Sequence, residues 1–138
     1  MRLVSAKDDN IHLLKLFIEN IGSASKTFRY FEKRPAAVIN NHLVALLILE
    51  LETPVAYGHL ESEGDKIWLG ICVLPKYTGK GFGNLMMENL IESARKQNIQ
   101  IIDLTVDKLN LSAIKLYEKF NFKKSNEGDS YYRYQLIL

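Results

Sequence analysis

The stretch VLPKYTGKGFGNLMMENLIESA, Val73 to Ala94, narrows the fold more than any other part of this chain. An apolar run, KIWLGICVL, leads through the alternating glycines Gly79, Gly81 and Gly83 into a helical pattern. Within that pattern Gly83, Met86, Met87, Leu90 and Ala94 fall in an arc of about 100°, as in a helix laid on a sheet. A helix N-terminus carries unpaired N–H groups and a partial positive charge, so it favours anions. Glycines just before it let the backbone approach a ligand and take left-handed angles. The junction is therefore a candidate anion cradle, with a tight turn and a close helix packing as the simpler reading.

The rest of the chain reads as elements that can surround such a junction. Leu3 and Val4 mark a first strand, and DDNIHLLKLFIENIG a helix capped by Asp8 or Asp9 and ended by Gly22. A second helical piece is expected over Ser25 to Lys33, stopped by Pro35. HLVALLILEL reads as a strand broken by Thr53-Pro54. VAYGHLES alternates, with Val55, Tyr57, His59 and Glu61 on one side, and EGD turns it into KIWLGICVL as a hairpin. IQIIDLTV, NLSAIKLYEKFNF and SYYRYQLIL then read as strand, helix and strand, with Asn98 ending the preceding helix and a short extra strand near Lys123. The order β, α, α, β, β, β, α, β, α, β describes an α/β fold, antiparallel first and then a βαβ crossover.

Composition limits the functions. The 138 residues, 47% of them hydrophobic, suit one domain over 1–138 with a core of its own. A net charge of +2 with interspersed signs argues against nucleic acid, despite the basic aromatic run FRYFEKR. The N-terminus does not read as a signal peptide. The longest apolar run, LVALLILEL, is too short for a membrane span and contains Glu50, so a cytoplasmic protein is expected. The single cysteine, Cys72, and three histidines give no zinc-ligand spacing, and no metal is expected.

The phosphate loops can be told apart. The Walker pattern fails because Lys80 is followed by Gly81. The dinucleotide fingerprint fails because Asn84 stands where its third glycine belongs and a hairpin precedes the loop. ICVLPKYTGKGFGNLMM instead resembles the cofactor motif of the GNAT N-acetyltransferase superfamily, a strand ending in Val-x-Pro followed by (Arg/Gln)-x-x-Gly-x-(Gly/Ala). Gly81 and Gly83 match its glycines, and Thr78 stands where Arg or Gln is usual. LTVDKLNLSAIKLYEKFNF is similar to the family's second motif through Leu104, Val106, Asn110, Ala113, Leu116, Tyr117, Lys119 and Phe122. Asn121 replaces its glycine, and asparagine also tolerates a left-handed helix end.

The resemblance implies a mixed sheet of six to seven strands, with a central parallel pair splayed at the cofactor site and about four flanking helices. It also implies an acetyl-CoA-dependent N-acetyltransferase that works by direct transfer through a tetrahedral intermediate. Cys72 and Val73 would line the pantetheine arm, and Thr78, Gly79, Lys80, Gly81, Phe82, Gly83 and Asn84 the pyrophosphate. Asn110 would contact the cofactor or cap the last helix. Tyr117 matches the family's general acid, with a core tyrosine as the other reading. The family's glutamate is missing at Ile67, leaving His59 or Glu61 as base candidates. Cys72 reads as a buried hydrophobe rather than a nucleophile.

The acceptor is expected between the first helices and the hairpin, near Phe28, Arg29, Tyr30 and Trp68. Those residues suit a small-molecule primary amine carrying phosphate or carboxylate, such as a nucleotide-linked amino sugar or an amino acid. A non-catalytic acyl-CoA-binding module and a protein or peptide N-acetyltransferase are the alternatives. The C-terminal strand could pair across a homodimer or lie inside the sheet.

Overall fold

The computed structural model describes residues Met1–Leu138. Seven strands form one sheet in the order β1-β2-β3-β4-β5-β7-β6. They are β1 (Arg2–Ser5), β2 (Val44–Glu50), β3 (Thr53–Glu63), β4 (Lys66–Val73), β5 (Ile101–Asp107), β6 (Lys123–Glu127) and β7 (Tyr131–Ile137). Helices α1 (Ile11–Glu19), α2 (Phe82–Lys96) and α3 (Leu111–Lys119) pack on it. Every neighbouring pair is antiparallel except β4–β5, the two strands joined by the α2 crossover.

The first half of the sheet is covered on both faces, and this explains why β2 and β3 are apolar almost throughout. On one face α2 buries Met86, Met87, Leu90, Ile91 and Ala94 against Ile48, Ala56, Leu60 and Leu104, with Tyr117 of α3 beside Phe122 and Tyr134. On the other, Leu14 and Phe17 of α1 meet Leu47, Leu49, Tyr57, Cys72 and Leu74. Gly58 fixes how closely α2 approaches. A Cβ there would lie 2.7 Å from Met86 Cγ and Sδ and 2.9 Å from Leu90 Cδ1.

Several local expectations are corrected. The piece expected over Ser25–Lys33 is a 3₁₀ helix at Gly22–Lys26, with a second at Ala36–Asn41 after Pro35. Neither Asp8 nor Asp9 caps α1: they form a 3₁₀ turn, Asp8–Asn10, and the helix starts at Ile11. The β2–β3 turn is Leu51-Glu52, both at positive φ, so Thr53 and Pro54 belong to β3. The pairing then skips Val55, because Ile48 faces Ala56 while Leu49 faces Pro54. This bulge throws Val55 onto the α2 face, away from Tyr57, His59 and Glu61 with which it was grouped. Asn98 and Asn121, by contrast, take φ of 58° and 71° where helices end. The C-terminal strand β7 pairs with β5 on one side and β6 on the other, so β6 is the free edge there.

Gly58→Val should cost about 1–3 kcal/mol through overpacking against α2. The check is a lower urea midpoint at unchanged m-value; a midpoint equal to wild type would show that α2 does not sit this close.

Candidate active site

The parallel strands part as soon as they meet. Trp68↔Asp103 is their one registered pair, so the edge of β4 from Leu69 to Val73 is unpaired on the β5 side. A cavity of about 1230 Å³ opens there, running from the glycine junction across Cys72 and Tyr117 to the face that carries Trp68 and His59.

At the junction end, no backbone amide from Gly79 to Asn84 donates to an acceptor in the chain; the first helical amide to do so is that of Leu85, to Gly81 O at 3.1 Å. Gly79 and Gly81 hold φ of 75° and 89°, angles that would strain other residues. Gly83 acts differently: it lies inside α2, where a Cβ would sit 3.3 Å from Leu116 of α3. The Thr78 hydroxyl donates to Pro75 O at 2.9 Å, closing its own turn rather than facing a ligand. Lys80 lies outside the cavity lining, with its ammonium over the Tyr77 ring at 5.4 Å. Asn84 Oδ1 accepts from Lys119 Nζ at 3.1 Å. Asn110 both lines the cavity and caps α3, its Oδ1 accepting the Ala113 amide at 3.4 Å.

Tyr117, on α3, reaches the middle of the cavity. Its ring packs on Phe122 and Tyr134, and its hydroxyl has no hydrogen-bond partner in the chain. Burial, with the Cys72 sulfur nearby, raises its pKa well above that of a free phenol, so it carries its proton throughout the physiological range. Burial also pushes the Cys72 thiol up to about 12, which keeps it protonated and inert.

The third part is a knot of rings. His59 is 3% exposed, and its Nδ1 pairs with the Tyr57 hydroxyl at 2.8 Å. The Tyr30 hydroxyl pairs with His42 Nε2 at 2.8 Å, and the two imidazoles cross at 4.8 Å. The His59 ring fits because its cross-strand neighbour is glycine: a Cβ on Gly70 would lie 2.5 Å from His59 Nε2. Desolvation, then His42 and Arg34, lower the His59 pKa to about 3, so the ring is neutral and a weak proton acceptor. Burial also lowers that of His42. Glu61 stands opposite Trp68 and beside Tyr30, whose pKa is raised by burial and by this carboxylate. His42, His59 and Glu61 bring metal-ligand-type atoms within 4.8 Å of one another, a grouping the sequence spacing concealed. A tyrosine hydroxyl already engages one nitrogen of each imidazole.

Every other residue singled out in the sequence lines this cavity, including Val73, Phe82, Phe28, Arg29 and Trp68. Arg29 is committed, however, pairing with Asp107 through both guanidinium ends at 3.2 and 3.3 Å and so tying the loop between the two 3₁₀ helices to the end of β5. Arg34 stacks on Tyr30 at 4.3 Å and donates to its carbonyl at 3.0 Å. Arg133, on β7, was not expected here. Its signal was the alternation in YYRYQLIL, which puts Tyr132, Tyr134 and Leu136 on the core face and Arg133 on the other. Ile67, at the family glutamate position, packs towards the α2 core.

The description "Acetyltransferase (GNAT) family" matches residues 10–122. The chain belongs to the GNAT acetyltransferase family. It is 39% identical over 88 residues to the [ribosomal protein bS18]-alanine N-acetyltransferase of Haemophilus influenzae, covering 63% of this chain and 60% of that one. It is 32% identical over 107 residues to an N-alpha-acetyltransferase of Saccharolobus solfataricus, covering 70% and 59%. The chain thus spans about 60% of the length of these curated relatives. Among solved structures, the GNAT domain of S. lividans PAT superposes with a TM-score of 0.87 at 18% identity, covering 99% of this chain and 90% of that one. The PaiA N-acetyltransferase of Thermoplasma acidophilum, solved in complex with coenzyme A, gives 0.81 at 19% identity, covering all of both chains. These structures share the fold, including the mixed sheet with one parallel pair. No helix of the chain is long and apolar enough to cross a membrane.

His59 makes acid stability pH-dependent. Its folded pKa lies below the unfolded value, so the unfolded chain binds the extra proton and stability falls as pH drops from about 6.5 towards 3. The effect is on the order of 5 kcal/mol across that whole window. Urea unfolding at pH 7 and pH 4.5 should show roughly half of this loss for wild type and a smaller one for His59→Gln.

Proposed function

We propose that this chain is an acetyl-CoA-dependent N-acetyltransferase acting on the primary amine of a small molecule. The observation that carries the reading is the row of undonated amides from Gly79 to Asn84, continuous with the unpaired β4 edge and the free hydroxyl of Tyr117. That donor set fits the cofactor: the amides suit a pyrophosphate, and the β4 edge suits a pantetheine arm pairing as an added strand. A solved relative of the same fold carries coenzyme A. When bound, acetyl-CoA supplies the activated acyl thioester.

The remaining work belongs to side chains. An alkyl ammonium with pKa near 10.4 is only about one part in two thousand neutral at pH 7, so the attacking amine must lose a proton. Glu61 suits that task better than His59, whose pKa of about 3 makes it a poor base. His59 instead supports the wall of the pocket through Tyr57, with the Tyr30–His42 pair crossing it. At the other side of the reaction, Tyr117 holds its proton for the departing thiolate.

A second reading, transfer to the terminal α-amine of a peptide, is favoured by one observation: two of the relatives are named for alanine and N-alpha acetylation. Release of coenzyme A with a panel of free amines, set against N-terminal peptides, separates the two. Turnover on peptides alone would replace the small-molecule reading, and cofactor binding without turnover on either would make the chain an acyl-CoA-binding module.

Tyr117→Phe should keep the fold and coenzyme A affinity while turnover falls about 10²-fold or more, and near-normal turnover would remove the acid role. Gly81→Ala, forced to a left-handed angle, should weaken coenzyme A binding by about tenfold in calorimetry.

A further inference from the structure

Three arginines line the cavity, and they are not equivalent. Arg29 is paired with Asp107, and Arg34 is spent on the Tyr30 ring and carbonyl. Arg133 has a ring beneath it, as Arg34 does, but no oxygen acceptor. It forms no ion pair, its Nε is buried with no acceptor, and its guanidinium stands over Trp68 with Cζ 5.0 Å from the ring centroid. An unpartnered buried guanidinium donor is costly, so a half-buried arginine normally finds an acceptor. The carboxylates on this side of the sheet are engaged elsewhere and form no contact with it. Asp103 accepts from Gln135 at 3.1 Å and lies 3.9 Å from Lys66, while Asp107 is held by Arg29.

Of the two carboxylates that line the cavity, Asp107 and Glu61, only Glu61 is without an ion pair. Glu61 stands directly across from Trp68 in the β3–β4 register, on the opposite side from β5 and β7. Trp68 is thus flanked by a carboxylate without an ion pair on β3 and a guanidinium without one reaching over from β7, all lining the same cavity.

We infer that Arg133 is the anion-binding residue of the acceptor pocket, and that the acceptor is a zwitterionic amine. Its carboxylate or phosphate is gripped by the Arg133 fork and its ammonium faces Glu61 across Trp68. The planar guanidinium matches a pair of oxyanion oxygens, and stacking on Trp68 holds its plane in place. This inference rests on the acetyltransferase reading for what happens to the amine, but not for the binding of the anion.

The test therefore has two independent readouts. In the first, ¹⁵N-labelled protein is titrated with γ-aminobutyrate and O-phosphoethanolamine, with butylamine and ethanolamine as counterparts that keep the ammonium and lack the anion. The Arg133 Nε–H signal, assigned by its loss in Arg133→Gln, should shift with the first two and stay still with the others. Comparison of the carboxylate and phosphate arms tells which oxyanion is preferred. In the second, acetyl transfer to each amine is measured. Wild type should favour the anionic member of a pair by about tenfold or more in kcat/KM. Arg133→Gln should erase that preference through KM, and Arg133→Lys should restore part of it, whereas a purely structural role would lower kcat for both members alike. An Nε–H signal unmoved by either anion-bearing amine, or moved equally by those lacking the anion, overturns the inference. A signal that shifts in a protein with no transfer activity keeps the anion site and rejects the transferase reading instead.

Discussion

Everything about the site depends on the failure of two parallel strands to stay together. β4 and β5 share one registered pair, Trp68↔Asp103, before they diverge. Unpaired strand edges inside a sheet are normally costly, because each open N–H and C=O loses its partner. Here the opening is held from both sides. β4 is anchored along its whole length to β3, and β5 to β7. The α2 crossover has to bridge the gap, so its N-terminus and its undonated amides face the mouth of the opening.

The two faces of the sheet have different tasks at this opening. On the α2 and α3 face, apolar packing continues across the gap through Tyr117, Phe122 and Tyr134, so the strands separate without losing the core. On the other face, α1 and the 3₁₀ segments cover only the first half of the sheet. The uncovered half carries Trp68, Thr105 and Arg133, so the cavity wall there is largely polar. The Arg29–Asp107 pair links the covered half to the uncovered one at the end of β5.

Glycines do three separate jobs, and sequence distinguishes them poorly. Gly79 and Gly81 supply left-handed angles, Gly83 and Gly58 permit close packing, and Gly70 leaves room for one imidazole. Gly81 and Gly83 stand in one motif although their jobs differ, so the motif does not say which does which. Close packing and the room for the imidazole depend on what lies opposite: Leu116, Met86 and His59.

The sequence by itself determined the order of elements, the glycine junction, the helix ends at Asn98 and Asn121, and the family. These are written in local periodicity and in motifs whose residues lie close along the chain. The cavity residues at the glycine junction and on α3 were legible for the same reason. Tertiary structure alone decided which charged groups are free. Arg29 looked like an anion-binding residue until Asp107, on a distant strand, was seen to occupy it. His59 looked suited to proton transfer until burial beside His42 lowered its pKa to about 3. The bulge at Val55 reversed one side chain, and β7 brought Arg133 to a wall no motif mentions. Charge state and pairing depend on burial and on contacts between residues far apart in the chain, and those exist only after the sheet has formed.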